Sequence, residues 1–419
     1  IRMVKQGYKQ AELGVIPEKW TVSTIGAIAD VKTGPFGSAL HANDYVQDGT
    51  PIITVEHLGE TGLTRQNLPK VSAEDRRRLS AYSMQEGDIV FSRVGAVDRN
   101  AYVTAAENGW LFSGRILRLR AKSEELSTRY LGYYFKAEET KERVRGVAVG
   151  QTMASLNTKL MNAFKVVLPT VEEQKNIAAL LSNMDTLIST LEKQISKKKA
   201  IKQGAMLELL TGKRRLPGFE GEWNKCKLGS LGVFVKGTGI SRNQSNSGNL
   251  PAVRYGELYT KHQNYVTNYF SHISEEVAAN AQRVSRGDIL FAASGETKEE
   301  IGKCAAIIHE TDVYAGGDIL VFRPATQLNP VFMGTLLNTA DVCKQRAEKG
   351  QGDAVVHIHA DALSSINVMI PNIEEQQAIA DILLGMDKEI ELLESKLGKY
   401  RQVKQGMMQQ LLTGKIILV

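Results

Sequence analysis

The chain has 419 residues, of which 42% are hydrophobic and 23% charged, with a net charge of +6 and a pI near 9.0. That length exceeds one ordinary core and points to two or three globular domains, while the basic balance favours polyanionic partners through counterion release. No apolar run approaches the roughly 18 residues of a membrane span. Cys226, Cys304 and Cys343 are too scattered for a disulfide framework or a Cys-x-x-Cys metal site, so a cytoplasmic, reducing setting without a membrane partner is expected.

In chain order, residues 1–19 lead into a first domain ending at 168. Within residues 20–168 the apolar runs at Val31, Ile89 to Phe91, Ile116 to Leu119 and Phe164 to Leu168 read as short strands broken by turns, the pattern of an α/β domain. Residues 169–214 then change period. Ile177, Leu181, Met184, Ile188, Leu191 and Ile195 alternate at spacings of four and three, a heptad seam on one helix. Thr170 with Glu173 predicts a capping box at its start, in which the carboxylate returns to the first free amides, and Gly212 a left-handed cap at its end. The run Lys197 to Lys199 reads as a solvated face.

Residues 215–370 and 371–419 repeat this plan. Val233 to Val235, Ile289 to Phe291, Ile319 to Phe322 and Ile366 to Ile370 read as strands, and Ile379, Leu383, Met386, Ile390, Leu393, Leu397 and Tyr400 form the second seam. Asn372, Glu375 and Gly414 answer Thr170, Glu173 and Gly212. About 23 of the 49 positions from 169 to 217 match those about 200 residues later, including Met184-Asp185 with Met386-Asp387, Lys202-Gln203-Gly204 with Lys404-Gln405-Gly406, and Leu209 to Lys213 with Leu411 to Lys415. Fainter echoes are Trp20 with Trp223, Gly87-Asp88-Ile89 with Gly287-Asp288-Ile289, and Gly150-Gln151 with Gly350-Gln351. Val4 to Gly7 also echo Val403 to Gly406, as if the chain ends closed a ring.

The fold expected is α+β: two α/β domains, each followed by a long helix, with the two helices packed as an antiparallel coiled coil of pseudo-twofold symmetry. A helix of about 38 residues spans about 57 Å, the length of about 17 base pairs. Periodicity alone fits a spacer and a generic scaffold or dimerisation element equally well.

Basic and amide side chains gather in the loops. The first domain offers Lys32, Ser38, His41, Arg65, Arg93, Arg99, Asn100, Gln151 and Thr152. The second offers Lys236, Ser241, Arg242, Asn243, Gln244, Arg254, Lys298, Gln351 and His357. Such types bond guanine, adenine and phosphate, so as a set they are candidate DNA contacts. Catalytic patterns fail: no phosphate-binding loop follows Gly-x-x-x-x-Gly-Lys-Ser/Thr, and Arg242 stands where the third glycine of a dinucleotide loop belongs. Asp288, Glu296 and Lys298 mimic a metal nuclease, but the first copy has Ala96 and Asp98 instead of the last two. Asp88 and Asp288 read better as turn residues. His357, His359 and Asp361 favour a structural or DNA-facing role over a metal.

The doubled strand-Pro, Glu-Glu-Gln, Ile-Ala and Leu-Leu-Thr-Gly-Lys arrangement resembles type I restriction-modification specificity subunits over nearly the whole chain. The resemblance implies two target recognition domains reading a bipartite, asymmetric site in double-stranded DNA, with the helices as spacers. It implies a chain without catalysis or cofactor of its own. Two methyltransferase subunits and restriction subunits would dock on it and carry the S-adenosylmethionine, ATP and Mg. Glu172, Glu173, Gln174, Glu374, Glu375 and Gln376 match the family's spacer start and would lie where methyltransferase subunits pack.

Overall fold

The computed structural model describes residues 6–35, 40, 44–150, 154–352 and 354–418. They form two compact units that do not follow chain order. The first joins residues 1–192 to 396–419, and the second is 193–395.

In the first unit, Thr21–Thr24 pairs antiparallel with Lys165–Leu168, next to a central sheet in the order Ala29–Thr33, Ile116–Ala121, Ile89–Ser92, Asn100–Tyr102. Every residue of Ile89–Ser92 is buried, as expected of a strand covered on both faces. A second sheet runs Leu111–Phe112, Thr50–Ile53, Lys70–Val71, Tyr45–Val46. Helices Thr128–Lys136, Glu138–Val147 and Thr158–Ala163 complete the domain.

The second unit repeats the plan. Asn224–Lys227 pairs with Asn367–Ile370, and the central sheet runs Gly232–Lys236, Ile319–Pro324, Ile289–Ala292, Cys304–Ile307, Tyr265–Val266. Ser271–Ile273, Leu250–Val253, Val313–Ala315 and Gln282–Val284 form its second sheet, and its helices include Pro330–Leu336, Ala340–Lys349 and Ala360–Ser364. The expected strands thus all form, shifted at most by a residue or two.

The Gly-Asp-Ile openings are built alike. The Asp88 carboxylate caps a turn by accepting from the Gln85 amide at 2.7 Å and takes a bidentate pair from Arg120, both contacts 2.7 Å. Asp288 does the same with Ser285 (3.1 Å) and with Arg323 (3.2 and 3.0 Å). Both aspartates are buried, so a planar guanidinium matched to their oxygens offsets the desolvation.

The long helices are Val171–Leu209 and Ile373–Leu411, 39 residues each. The cap side chains act as expected: Thr170 Oγ1 accepts from the Glu173 amide at 3.3 Å, and Asn372 Oδ1 from the Glu375 amide at 2.9 Å. The other half of each capping box does not form. Glu173 instead accepts from the Trp20 indole at 2.7 Å, and Glu375 takes both arms of Arg215 at 2.7 Å. A buried carboxylate gains more from a charge-assisted or indole partner than from an amide that its own helix already tolerates free.

Inside each unit, segments of the two helices run antiparallel. In the first, Asp185 meets Lys404 and Glu192 meets Arg401; in the second, Lys199 meets Glu394 and Lys202 meets Asp387. Lys198 also pairs with Glu389, so two of the three lysines in the 197–199 run reach across the helix pair rather than facing solvent alone. Glu192–Arg401, Lys198–Glu389 and Lys199–Glu394 are largely exposed and are worth at most about 1 kcal/mol each, whereas Asp185–Lys404 and Asp387–Lys202 are half-buried.

Each domain is closed by the Leu-Leu-Thr-Gly end of a helix that it does not precede. Leu209 and Leu210 enter the second unit's core with Trp223, and Leu411 and Leu412 enter the first unit's core with Trp20. Gly212 and Gly414 have φ of 68° and 70°, the left-handed caps expected. A Cβ at Gly414 would lie 2.5 Å from Pro17 Cδ, and one at Gly212 would lie 3.4 Å from the Trp223 ring. At the chain's start a hairpin, Tyr8–Ala11 with Gly14–Pro17, sets the Tyr8 hydroxyl 2.9 Å from the Gly414 carbonyl, so both chain ends share the first unit. Val4 and Lys5 of the expected echo lie outside the described residues.

Candidate nucleic-acid interface

In both units the loops converge at one end of the central sheet. In the first, the Arg93 amide donates to the Arg115 carbonyl at 2.8 Å and Arg93 Nη1 to the Gly114 carbonyl at 3.4 Å. The Leu156 amide donates to the Arg93 carbonyl, the Gly95 amide to that of Ala154, and the Gly34 amide to that of Ile116. The strand exits at Lys32 and Arg93, the turn before Ile116 and the segment ending at Leu156 therefore meet.

In the second unit the Gly237 amide donates to the Ile319 carbonyl, Ala293 to Asp318, Gly316 to Val253 and Ile358 to Ala293. Ser294–Gly295 pairs with Val356–His357, and Gln351 and His357 exchange backbone bonds of 2.9 and 2.7 Å. These bonds gather Lys236, Arg254, Gln351 and His357, with Lys298 on the loop after Gly295. The exposed turn Ser241 to Gln244 continues from the Lys236 exit. The Gln244 side-chain Oε1 accepts from the Ser241 amide and hydroxyl, at 3.0 and 2.8 Å.

Not every expected contact residue reaches this end with a free head group. Asn100 is buried and donates to the Asp98 and Phe135 carbonyls, which corrects its assignment as a DNA contact: a side chain sealed in the core cannot meet a base edge. Arg99 turns back to the Leu58 carbonyl at 2.5 Å. Arg65 belongs elsewhere; it pairs with Glu107 at 2.8 Å and stacks 5.6 Å from the Trp110 ring, beyond the opposite end of the sheet. Ser38, His41, Gln151 and Thr152 lie outside the described residues. Sequence reasoning missed Arg115, which is exposed at the convergence; the signal was its place just ahead of a core strand.

The spacer residues divide. Glu172 and Glu374 are exposed, but Glu173, Gln174, Glu375 and Gln376 are buried and used internally. Gln174 accepts from the Ser127 amide at 2.9 Å and donates to the Pro169 carbonyl at 3.0 Å; Gln376 does so with Asn329 and Pro371, both at 3.0 Å. Their role is to fasten the domain to the first turn of its helix, which corrects the expectation that these four side chains face a partner.

A second attachment lies twelve residues beyond the buried glutamate. Asp185 accepts from the Tyr133 hydroxyl at 2.6 Å and from Lys404 at 2.5 Å. Asp387 accepts from the Tyr265 hydroxyl at 2.5 Å and pairs with Lys202. Burial, then the carboxylate beside it, pushes the Tyr133 phenol up to about 12 and the Tyr265 phenol further still. Lys136 nearby is pushed down to about 8 by burial first, and then by Lys404.

The Asp288 carboxylate is committed to the Ser285 amide and Arg323, and among the described residues no set of three or more His, Cys, Asp and Glu side chains could hold a metal. Nor is any helix among them long and apolar enough to cross a membrane.

Duplicated α/β domains, each fastened to an antiparallel helix pair and carrying a polar loop cluster at one end of its central sheet, define a doubled domain-and-helix architecture. The model of the type I restriction modification DNA specificity domain matches twice, at residues 17–202 and 220–399, and the chain belongs to that family. Relatives include a provisionally named MjaX specificity subunit and the MjaVIII specificity subunit, both of Methanocaldococcus jannaschii. They are 27% and 23% identical, each over 98% of this chain and over 97% and 96% of their own length. The fold is shared with the type I S subunit from M. genitalium, at a TM-score of 0.60 and 14% identity over 94% of this chain and 96% of that one. The chain is thus a specificity subunit, a non-catalytic recognition component of a restriction-modification complex.

Proposed function

We propose that each unit reads one half of a split, asymmetric site in double-stranded DNA through the loop end of its central sheet, and that the long helices fix the gap between the halves. The observation that carries this reading is the duplicated convergence of loops on one frame with different side chains: Lys32, Arg93 and Arg115 in one unit, Lys236, Arg254, Gln351 and His357 in the other. Arginine reads guanine edges, amides read adenine, and lysine holds phosphate. Two methyltransferase subunits docked on the helices would each extract an adenine, since chemistry on a base requires taking it from the stack. Restriction subunits would join them, and S-adenosylmethionine, ATP and Mg would be bound by these partners. Glu172 and Glu374, exposed at the helix starts, remain suited to partner contact.

Incubating a random-sequence DNA pool with the chain, with and without methyltransferase subunits, and sequencing what is retained tests the reading. Two constant blocks separated by a fixed gap are expected. Retention without sequence preference would leave only a scaffold.

A further inference from the structure

We propose that Tyr133 with Asp185 and Lys404, and Tyr265 with Asp387 and Lys202, are positioning locks that fix the tilt of each recognition domain on its helix pair and thereby set how strictly the gap is enforced. This inference rests on the split-site reading above.

The argument begins with leverage. Each domain is fastened near the first turn of its helix through Gln174 or Gln376, whose carboxamides bridge a domain amide and the residue before the helix. That anchor, Trp20 with Glu173, Arg215 with Glu375 and the leucines of the helix ends all lie around the first two to three turns of the helix, so they resist a swing of the far part of the domain less than a restraint farther along does. The aspartates stand twelve residues beyond Glu173 and Glu375, about 18 Å along the helix at 1.5 Å per residue, and a polar restraint at that distance has the longer lever arm against tilt. The lysine comes from the opposing helix, so each lock joins three bodies: domain, its own helix and the antiparallel segment beside it.

The domain side of the lock is not inherited from the duplication. Tyr133 sits on helix Thr128–Lys136, whereas Tyr265 sits on strand Tyr265–Val266. The residue that corresponds to Tyr133 in the second copy is Thr335, which is buried and donates to the Val331 carbonyl instead. Two unlike routes therefore deliver a phenol to equivalent carboxylates, with hydrogen bonds of 2.6 and 2.5 Å. Both phenols remain protonated donors across the neutral range, because burial raises them well above it. The lysine side chains are 21% and 14% exposed and their carboxylate partners 37% and 31%, so the junctions are half-shielded from solvent competition.

Methylation by the complex assembled with methyltransferase subunits provides the test, using duplexes in which the half-sites are constant and the gap is changed by one or two base pairs. In the Tyr133→Phe, Tyr265→Phe double variant, the preference for the half-site bases is expected to persist while the rate ratio between native and altered gaps falls by about 10-fold, short of the roughly 100-fold that misplacing a reacting group by a full ångström can cost. Asp185→Asn with Asp387→Asn provides a second route to the same loss should the first variant fold poorly. Unchanged gap discrimination in a folded variant would overturn the proposal, as would loss of base preference together with gap preference, which indicates a merely structural role. A wild-type complex without any two-part preference would instead sink the split-site reading itself.

Discussion

At the residue scale, the charges that matter most for stability face inward. Asp88 is 1% exposed and pairs with Arg120, whose guanidinium meets both carboxylate oxygens. Asp88→Ala removes the turn cap and strands a half-buried cation, so it is expected to cost about 3 kcal/mol, readable as a shift in the urea midpoint of the first unit. Lys136 behaves oppositely. Burial holds its ammonium down to about 8, against the help of Asp185 and with the further opposition of Lys404, Arg129 and Lys141. Below pH 8 the ammonium is charged in both folded and unfolded chains, and the folded state carries the full penalty. Between about pH 8 and 10.5 the unfolded chain binds more protons, so this group makes stability rise with pH. Lys136→Met is therefore expected to stabilise the first unit at pH 7 by roughly 2 kcal/mol and to flatten that rise, measured by thermal unfolding at several pH values. An unchanged pH slope would show that Lys136 is solvated.

At the element scale, local grammar was legible and distant partners were not. The strands, heptad seams, Thr170 and Asn372 caps and Gly212 and Gly414 stops follow from neighbours within a few residues, and all are present. The carboxylates of Glu173 and Glu375 escaped that grammar because Trp20 is 153 residues away and Arg215 160. The loop site shows the same limit. Arg, Lys and amide side chains were recognisable as a set, yet the burial of Asn100 depends on the Phe135 carbonyl, 35 residues on, and Arg65 is drawn off by Glu107, 42 residues on. Residue type says what a side chain can bond; only the assembled sheet says whether its head group is free. Thr170→Ala is expected to cost about 1 kcal/mol, an ordinary cap loss. Trp20→Ala should cost about 3–5 kcal/mol, because it empties a fully buried site and leaves Glu173 short of a partner. Comparing the two by chemical denaturation separates the helix start from the core it serves.

At the scale of the whole molecule, the helix ends decide which part of the chain stabilises which domain. Leu411, Leu412 and Gly414 close the first unit against Trp20, Pro17 and Tyr8, although some 390 residues of chain separate them. Leu209, Leu210 and Gly212 close the second unit in the same way with Trp223. Truncation after Gln410 should therefore weaken the domain farthest from it in sequence and spare the nearer one. The lost burial of two leucines corresponds to about 3–5 kcal/mol, enough to lower the first unit's protection markedly. Hydrogen exchange on the truncated chain is expected to show faster exchange in Ile89–Ser92 and Ile116–Ala121, with Ile289–Ala292 and Ile319–Pro324 unchanged. If the second unit loosens instead, or both loosen equally, the helix ends do not serve the domains as their contacts indicate. Loss confined to the first unit would show that a contiguous recognition module cannot be cut from this chain without also supplying the far end of the other helix. Any exchange of modules between such subunits must then carry residues 411–414 with the first domain's core, or preserve their fit to Trp20.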